Sequence, residues 1–141
     1  MHAITVTVKG QEAAVVAAGT RVSDLLPSVN SDGLPVLGAI VNNMVLPLYM
    51  PLITEAILEP LTISDPLGWN IYRTSLCFLL AKTAHELFPG MECRVRNSVG
   101  AGLYCTINWN GDLPLAEVKA NVLKLKQAML ATIKQDLPIT A

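Results

Sequence analysis

The chain contains few charged residues, and the charges it has nearly cancel. Charged residues make up only 15% of its 141 residues: ten are lysine or arginine and eleven are aspartate or glutamate. A formal net charge of −1 gives no whole-molecule attraction to nucleic acid. Apolar residues make up 52% and the mean hydropathy is +0.46, which is high for a free soluble domain. We therefore expect part of the surface to meet another domain or a second copy in a homodimer.

Cysteine is scarce as well. Cys77, Cys93 and Cys105 are spaced 16 and 12 residues apart without any C-x-x-C pair, which predicts neither a disulfide framework nor a zinc site. Such cysteines are typical of small buried side chains in a reducing compartment. The N-terminal stretch MHAITVTVKG has no signal-peptide core. The prediction is a cytoplasmic protein with no metal and no cofactor.

A membrane-spanning segment is not expected either. Residues 33–54, GLPVLGAIVNNMVLPLYMPLIT, carry no charge, but three prolines and the pair Asn42-Asn43 interrupt them. A spanning helix needs about 20 mostly apolar residues. The run therefore predicts two buried strands joined at the asparagine pair.

The first half of the chain is typical of a small sheet with one short helix. Residues 4–9, ITVTVK, alternate between apolar and polar and predict a half-buried strand. Thr20 is a suitable N-cap for a helix in RVSDLL, which Pro27 ends. Further strands are predicted in EAAVVAA, VLGAIV, VLPLYM and ILEPLTI. This order of elements predicts a β-grasp domain over residues 1–63.

The pattern changes after the turn residues SDPLG at positions 64–68. A helix is predicted from Tyr72 to Phe88, followed by a hairpin of MECRVRN and LYCTIN. Asp112 is expected to cap a last helix that has Pro114 in its first turn. The apolar stripe of that helix is predicted at Leu115, Val118, Val122, Leu125, Met129 and Ile133. Residues 64–141 are therefore predicted to form a small α+β domain, and the whole chain belongs to the α+β class.

Two long stretches resemble a known pair of domains. VLGAIVNNMVLPLYMPLITEAILEPLTISDPLG resembles the closing half of the TGS domain, the β-grasp module at the front of threonyl-tRNA synthetases. YRTSLCFLLAKTAHELFPGMECRVRNSVGAGLYCTI resembles the start of their second additional domain, which edits mischarged tRNA. The run IYRTSLCFLLAKTAHELFP is closer still to nucleoside (uridine) kinase-like proteins, which carry the same pair ahead of a P-loop kinase domain. The resemblance implies a TGS domain followed by a truncated editing-like domain.

The chain differs from the editing domain at the positions of that domain's functional histidines. The resemblance implies an H-x-x-x-H pair on the first helix, and the matching positions hold Thr74 and Phe78. Two histidines four residues apart share a helix face, which suits metal binding or proton transfer. A hydroxyl and a phenyl ring cannot replace them, and the later editing residues have no counterpart before Ala141. We therefore expect no catalytic residue in this segment.

The kinase chemistry is absent too. The chain contains no G-x-x-x-x-G-K-[ST] motif to hold nucleotide phosphates. If the kinase resemblance holds, it implies a catalytic domain beyond Ala141 as a partner in cis.

A small basic patch and a glycine-rich turn are the candidates for ligand contact. Arg94 and Arg96 share a strand face and could meet phosphates together with Arg73, although an ordinary solvated face is the alternative. The turn SVGAG lies between strands, where no helix dipole acts. Tyr104 could stack on a base or pack in the core. The candidate contacts for tRNA or a nucleotide are Arg73, Arg94, Arg96, Ser98, Gly100, Gly102 and Tyr104.

Three functional hypotheses follow. The first is a non-catalytic regulatory module of a nucleoside (uridine) kinase-like protein that binds a ligand or RNA. The second is an N-terminal fragment of a threonyl-tRNA synthetase-related protein. The third is an interaction module that docks onto a missing domain or onto a twin through its uncharged region.

Overall fold

The computed structural model describes residues 2–139 and contains both helices and strands. The elements are β1 (Ala3–Val8), β2 (Ala14–Ala17), α1 (Val22–Leu25), β3 (Gly38–Val41), β4 (Met44–Leu46), β5 (Ala56–Leu61), α2 (Pro66–Leu87), β6 (Glu92–Val99), β7 (Gly102–Asn108) and α3 (Leu115–Lys134). The predicted α+β class is confirmed. The outermost limits of the two predicted domains, Met1 and residues 140–141, lie outside the described residues.

Five strands form one mixed sheet in the order β2-β1-β5-β3-β4. The central pair, β1 and β5, is parallel, and the other three pairs are antiparallel. Strand β4 covers only Met44–Leu46, so the predicted strand VLPLYM is too long: the chain leaves the sheet at Pro47, which has no N–H to donate. Arg21 rather than Thr20 occupies the N-cap of α1, because the Thr20 hydroxyl donates backward to the Ala17 carbonyl.

The inner face of this sheet packs with α1 to form a buried apolar core. Alternate side chains of β1 and β5 point inward, and Leu58 and Val22 are completely buried. The buried cluster consists of Ile4, Val6, Val22, Leu26, Val36, Ala39, Val41, Leu52, Ala56 and Leu58. Burying a Leu or Val side chain stabilises the folded state by roughly 1.5–3 kcal/mol. This cluster therefore supplies most of the apolar burial that stabilises the first part of the chain.

The asparagine pair forms the tight turn between β3 and β4. Asn42 and Asn43 both have positive φ, 47° and 69°, which asparagine adopts more readily than most residues. The Asn42 side chain also bonds the neighbouring strand: its Nδ2 donates to the Glu55 carbonyl and its Oδ1 accepts from the Ile57 N–H, both at 2.9 Å. Asn42 therefore both shapes the turn and fixes the start of β5.

The segment SDPLG forms the junction between β5 and α2. The Asp65 carboxylate accepts from the Thr62 N–H at 2.8 Å, while the Asp65 carbonyl accepts from Trp69 N–H at 2.8 Å. Pro66 opens the helix, where its missing N–H costs nothing. A Cβ on Gly68 would lie 1.9 Å from the Thr62 carbonyl oxygen, so only glycine fits. Helix α2 therefore begins at Pro66, six residues before the predicted start.

The chain divides into two compact units inside α2. One contains the described residues up to Arg73 and the other begins at Thr74. The sequence-based boundary lies earlier, between residues 63 and 64. The start of α2 belongs to the first unit because it packs there: Ile71 contacts Gly38 of β3, and Gly68 lies against Thr62.

The second unit contains the rest of α2, the β6–β7 hairpin and α3. Gly90, with a φ of 87°, turns the chain from α2 into β6. Phe88 and Trp109 then pack edge to face, with ring centroids 5.3 Å apart. No helix among the described residues is both long and apolar enough to cross a membrane.

Helix α3 differs from its prediction in two ways. Pro114, not Asp112, occupies the N-cap, and no side chain caps the helix. Of the predicted apolar stripe, only Leu125 is buried. Leu115, Val122 and Ile133 are between 46% and 68% exposed. The spacing identified an amphipathic helix correctly, but most of the predicted stripe does not enter the core of this unit.

Candidate ligand-contact surface

The β6–β7 hairpin carries a polar face, and the strand register decides which side chains share it. Arg94 pairs with Thr106 and Glu92 pairs with Asn108, so these four side chains lie on one face. Cys93, Val95 and Cys105 lie on the other face. Arg94 and Cys93 therefore lie on opposite faces of the hairpin.

A β-bulge at Arg96 changes the pattern beyond it. Val95 pairs with Cys105, but the next pair is Asn97 with Tyr104, so Arg96 is the extra residue. A bulge bends the strand and redirects a side chain. The Arg96 Nε donates to Thr106 Oγ1 at 3.2 Å, which places its guanidinium over the polar face. No sequence signal marks this bulge.

The bulge separates the predicted contact residues. Tyr104 lies on the same face as Thr106 and is 53% exposed, so it joins the arginines. Ser98 pairs with Leu103 and lies on the face of Cys105 instead. The predicted glycine loop is a tight turn, with Val99 paired to Gly102 and Gly100 at a φ of 58°. Arg73 belongs to the first unit, and its proximity to Arg94 and Arg96 stays a prediction.

A shallow depression of about 260 Å³ lies on this polar face. We call it the hairpin depression; it is lined by Glu92, Arg94, Arg96, Thr106, Ile107 and Asn108. Sequence reasoning missed Thr106 and Asn108, because isolated polar residues in a strand give no signal until the register is known. The lining offers guanidinium, hydroxyl and amide donors, which suit an anion or a phosphodiester backbone.

The two arginines differ in their partners. Both Arg94 nitrogens on one edge donate to Glu92 Oε1, with Nε at 2.8 Å, and this ion pair is about half exposed. Arg96 has no carboxylate partner among residues 2–139. Its charge is therefore the more available of the two for an anionic ligand.

The positions that the resemblance aligns with the editing histidines lie on α2. Thr74 and Phe78 are four residues apart and therefore share a face, and both are exposed, Phe78 at 53%. Within the described part of the chain, no group of three His, Cys, Asp or Glu side chains is arranged to hold a metal ion.

Cys93 and Cys105 are not activated nucleophiles. Burial raises the pKa of the Cys93 thiol, and the neighbouring Cys105 raises it further. The pKa of Cys105 is raised by burial and then by Cys77. A nucleophilic cysteine needs a lowered pKa, so these thiols act as small apolar side chains.

Comparison with known proteins gives two relatives. Over 137 residues, 96% of this chain, the sequence is 30% identical to a threonine--tRNA ligase of Desulforamulus reducens, of which the match spans 21%. Over 99 residues, 70% of this chain, it is 28% identical to a threonine--tRNA ligase of Pelodictyon phaeoclathratiforme, of which 14% is spanned. No family model matches the chain.

These similarities support a threonyl-tRNA synthetase-related module. The chain spans only about a fifth of the length of the first relative and less of the second. The kinase-like relation gains no support from either. Of the three functional hypotheses, the synthetase-related fragment is therefore favoured over the kinase module.

Proposed function

We propose that this chain is a non-catalytic, threonyl-tRNA synthetase-related module that contacts the phosphate backbone of tRNA through the hairpin depression. In this proposal, residues 1–63 form the TGS β-grasp domain and residues 64–141 form part of an editing-like domain. The observation that carries it is Arg96, whose guanidinium has no carboxylate partner in the described part of the chain and lies on a polar face of a chain similar to threonine--tRNA ligases. Thr106, Asn108 and Tyr104 supply neutral donors and a ring beside it.

The absence of catalysis rests on side-chain chemistry. Thr74 and Phe78 cannot bind a metal or move a proton as a histidine pair does. Cys93 and Cys105 are held as thiols by their raised pKa values. Incubated with serine-charged tRNA, the chain should release serine no faster than buffer alone. Faster release of serine in the presence of the chain would contradict the proposal that it is non-catalytic.

Binding is tested by titrating labelled tRNA with the chain at several salt concentrations. Because Arg96 has no carboxylate partner among residues 2–139, Arg96→Glu should lower the affinity about tenfold. It should also reduce the slope of log affinity against log salt concentration by about one. Glu92→Gln should raise the affinity a few-fold, because it frees Arg94 from its ion pair. General charge attraction would change the affinity in the same two directions, so a control at a distant position is needed.

Lys124→Glu is the matched control, because it makes the same charge change on α3. Equal weakening by Arg96→Glu and Lys124→Glu would show that only net charge matters. No effect of Arg96→Glu, or no tRNA binding at low salt, would overturn the assignment of the hairpin depression.

A further inference from the structure

Helix α3 exposes an apolar seam that is interrupted by lysine at regular positions. We define the α3 seam as Leu115, Lys119, Val122, Lys126, Met129 and Ile133. Their spacing of four and three residues in alternation is the heptad spacing of a coiled-coil interface. Leu115, Val122 and Ile133 are exposed, and Leu123 and Leu130 are exposed beside them, at 54% and 49%.

The charged residues of this helix are mostly positive. Lys119, Lys124, Lys126 and Lys134 lie between Leu115 and Lys134, whereas Glu117 is the only acidic residue there. No lysine of α3 forms an ion pair with another of the described residues 2–139. The seam therefore presents unmatched positive charge within apolar surface.

We propose that the α3 seam binds an amphipathic helix of another protein, with carboxylates at the positions facing Lys119 and Lys126. In the heptad, Leu115, Val122 and Met129 occupy one seam position, and Lys119, Lys126 and Ile133 occupy the other. A lysine at such a position fixes register and partner choice, because only an acidic residue opposite compensates it. Twenty residues of α3 extend about 30 Å, so the partner needs about three heptads.

Charge complementarity separates this partner from the other occupants. Two parallel copies would set Lys119 and Lys126 against the same lysines, which like-charge repulsion disfavours. Two antiparallel copies would set these lysines against apolar seam residues, so neither alignment places a carboxylate opposite them. A lipid surface fits poorly, because both lysines lie within the seam rather than at its edges and α3 contains no Trp or Phe. RNA offers phosphates to the lysines but no apolar helix face to cover the exposed leucine, valine and isoleucine side chains.

The test uses two labelled synthetic peptides of three heptads with leucine at the apolar seam positions. One carries glutamate and the other lysine at the positions that face Lys119 and Lys126. Fluorescence anisotropy with the whole chain should show the glutamate peptide binding about tenfold more tightly, since two opposed charge pairs replace two like-charged ones. The double variant Lys119→Glu/Lys126→Glu should reverse this preference.

Lys124→Glu is the control, because Lys124 lies on the opposite side of α3 from the seam. It should leave the preference for the glutamate peptide unchanged, with circular dichroism confirming the helix in each variant. Equal binding of the two peptides, or binding of neither, would overturn the proposal. Self-association of the chain in sedimentation, or co-sedimentation with phosphatidylserine vesicles, in either case abolished by the double variant, would assign the seam to a second copy or to a membrane instead.

Discussion

The two compact units use similar side chains in different ways. In the first, a five-stranded sheet closes over α1 and buries a cluster of valine, leucine and isoleucine. In the second, Ala84 and Leu125 are the buried apolar side chains among the described residues, although α2, β7 and α3 are rich in apolar residues. Phe78, Val99 and Tyr104 are more than half exposed.

This difference follows from architecture rather than composition. A sheet of five strands has a face wide enough to be covered by one helix and its loops, whereas a two-stranded hairpin has little face to cover. Two helices and one hairpin leave several apolar sides without a neighbour. The first unit therefore encloses a buried apolar core, whereas the second leaves more of its apolar side chains exposed. The hairpin depression and the α3 seam both lie in the second unit.

Paired truncations in the two units should give the largest contrast. Leu58 is completely buried between strands, so Leu58→Ala should lower the free energy of unfolding by about 3–5 kcal/mol. Leu125 and Ala84 are the buried apolar side chains described in the second unit, so Leu125 lies outside the large cluster and Leu125→Ala should cost about 2 kcal/mol. Urea unfolding combined with hydrogen exchange of each unit measures both, and equal losses would contradict the contrast drawn between the units.

The junction at the start of α2 can be disrupted by a single methyl group. Gly68→Ala should lower the free energy of unfolding by about 2–3 kcal/mol, because the new Cβ meets the Thr62 carbonyl and must push β5 and α2 apart. Hydrogen exchange should increase in β5 and the first turns of α2. Gly102→Ala is the matched control: its Cβ would meet nothing nearer than 3.7 Å, so a similar loss there would refute the steric explanation.

Much of the first unit could be predicted because its strands alternate and its turns have distinctive residues. ITVTVK and the Asn42-Asn43 pair stand where the structure has β1 and the β3–β4 turn. The start of α2 was misplaced, because the packing of Ile71 and Gly68 against the sheet is a tertiary effect. Sequence periodicity shows that a helix has an apolar side but not whether anything covers it, which is why the α3 stripe was wrong.

The hairpin depression was only partly predictable for a related reason. Alternation predicted that Arg94 and Arg96 share a strand face, but one bulged residue at Arg96 reverses the alternation beyond it. Ser98 consequently moved away from the predicted cluster, and Thr106 and Asn108 entered it. Each change depends on the pairing register, which a single strand's sequence does not reveal.

The smallest predicted effect concerns how well the second unit shields its thiols. Burial raises the pKa of Cys93 and Cys105 above the ordinary value of 9.0, so the folded state favours their neutral form. Alkylation by iodoacetamide should be slower in the folded chain than in urea at pH 8–9. The thiols bind protons more tightly when folded, so their contribution to stability is full below about pH 9 and declines above it.

Replacing both by alanine removes this titration. The wild-type chain should lose stability between pH 9 and 10 more steeply than Cys93→Ala/Cys105→Ala, as measured by urea unfolding at each pH. Rapid alkylation of both cysteines in the folded chain would mean that the thiol face of the hairpin is open to water. In that case the contrast between the two units would be greater still, because even the inner face of the second unit would be solvated.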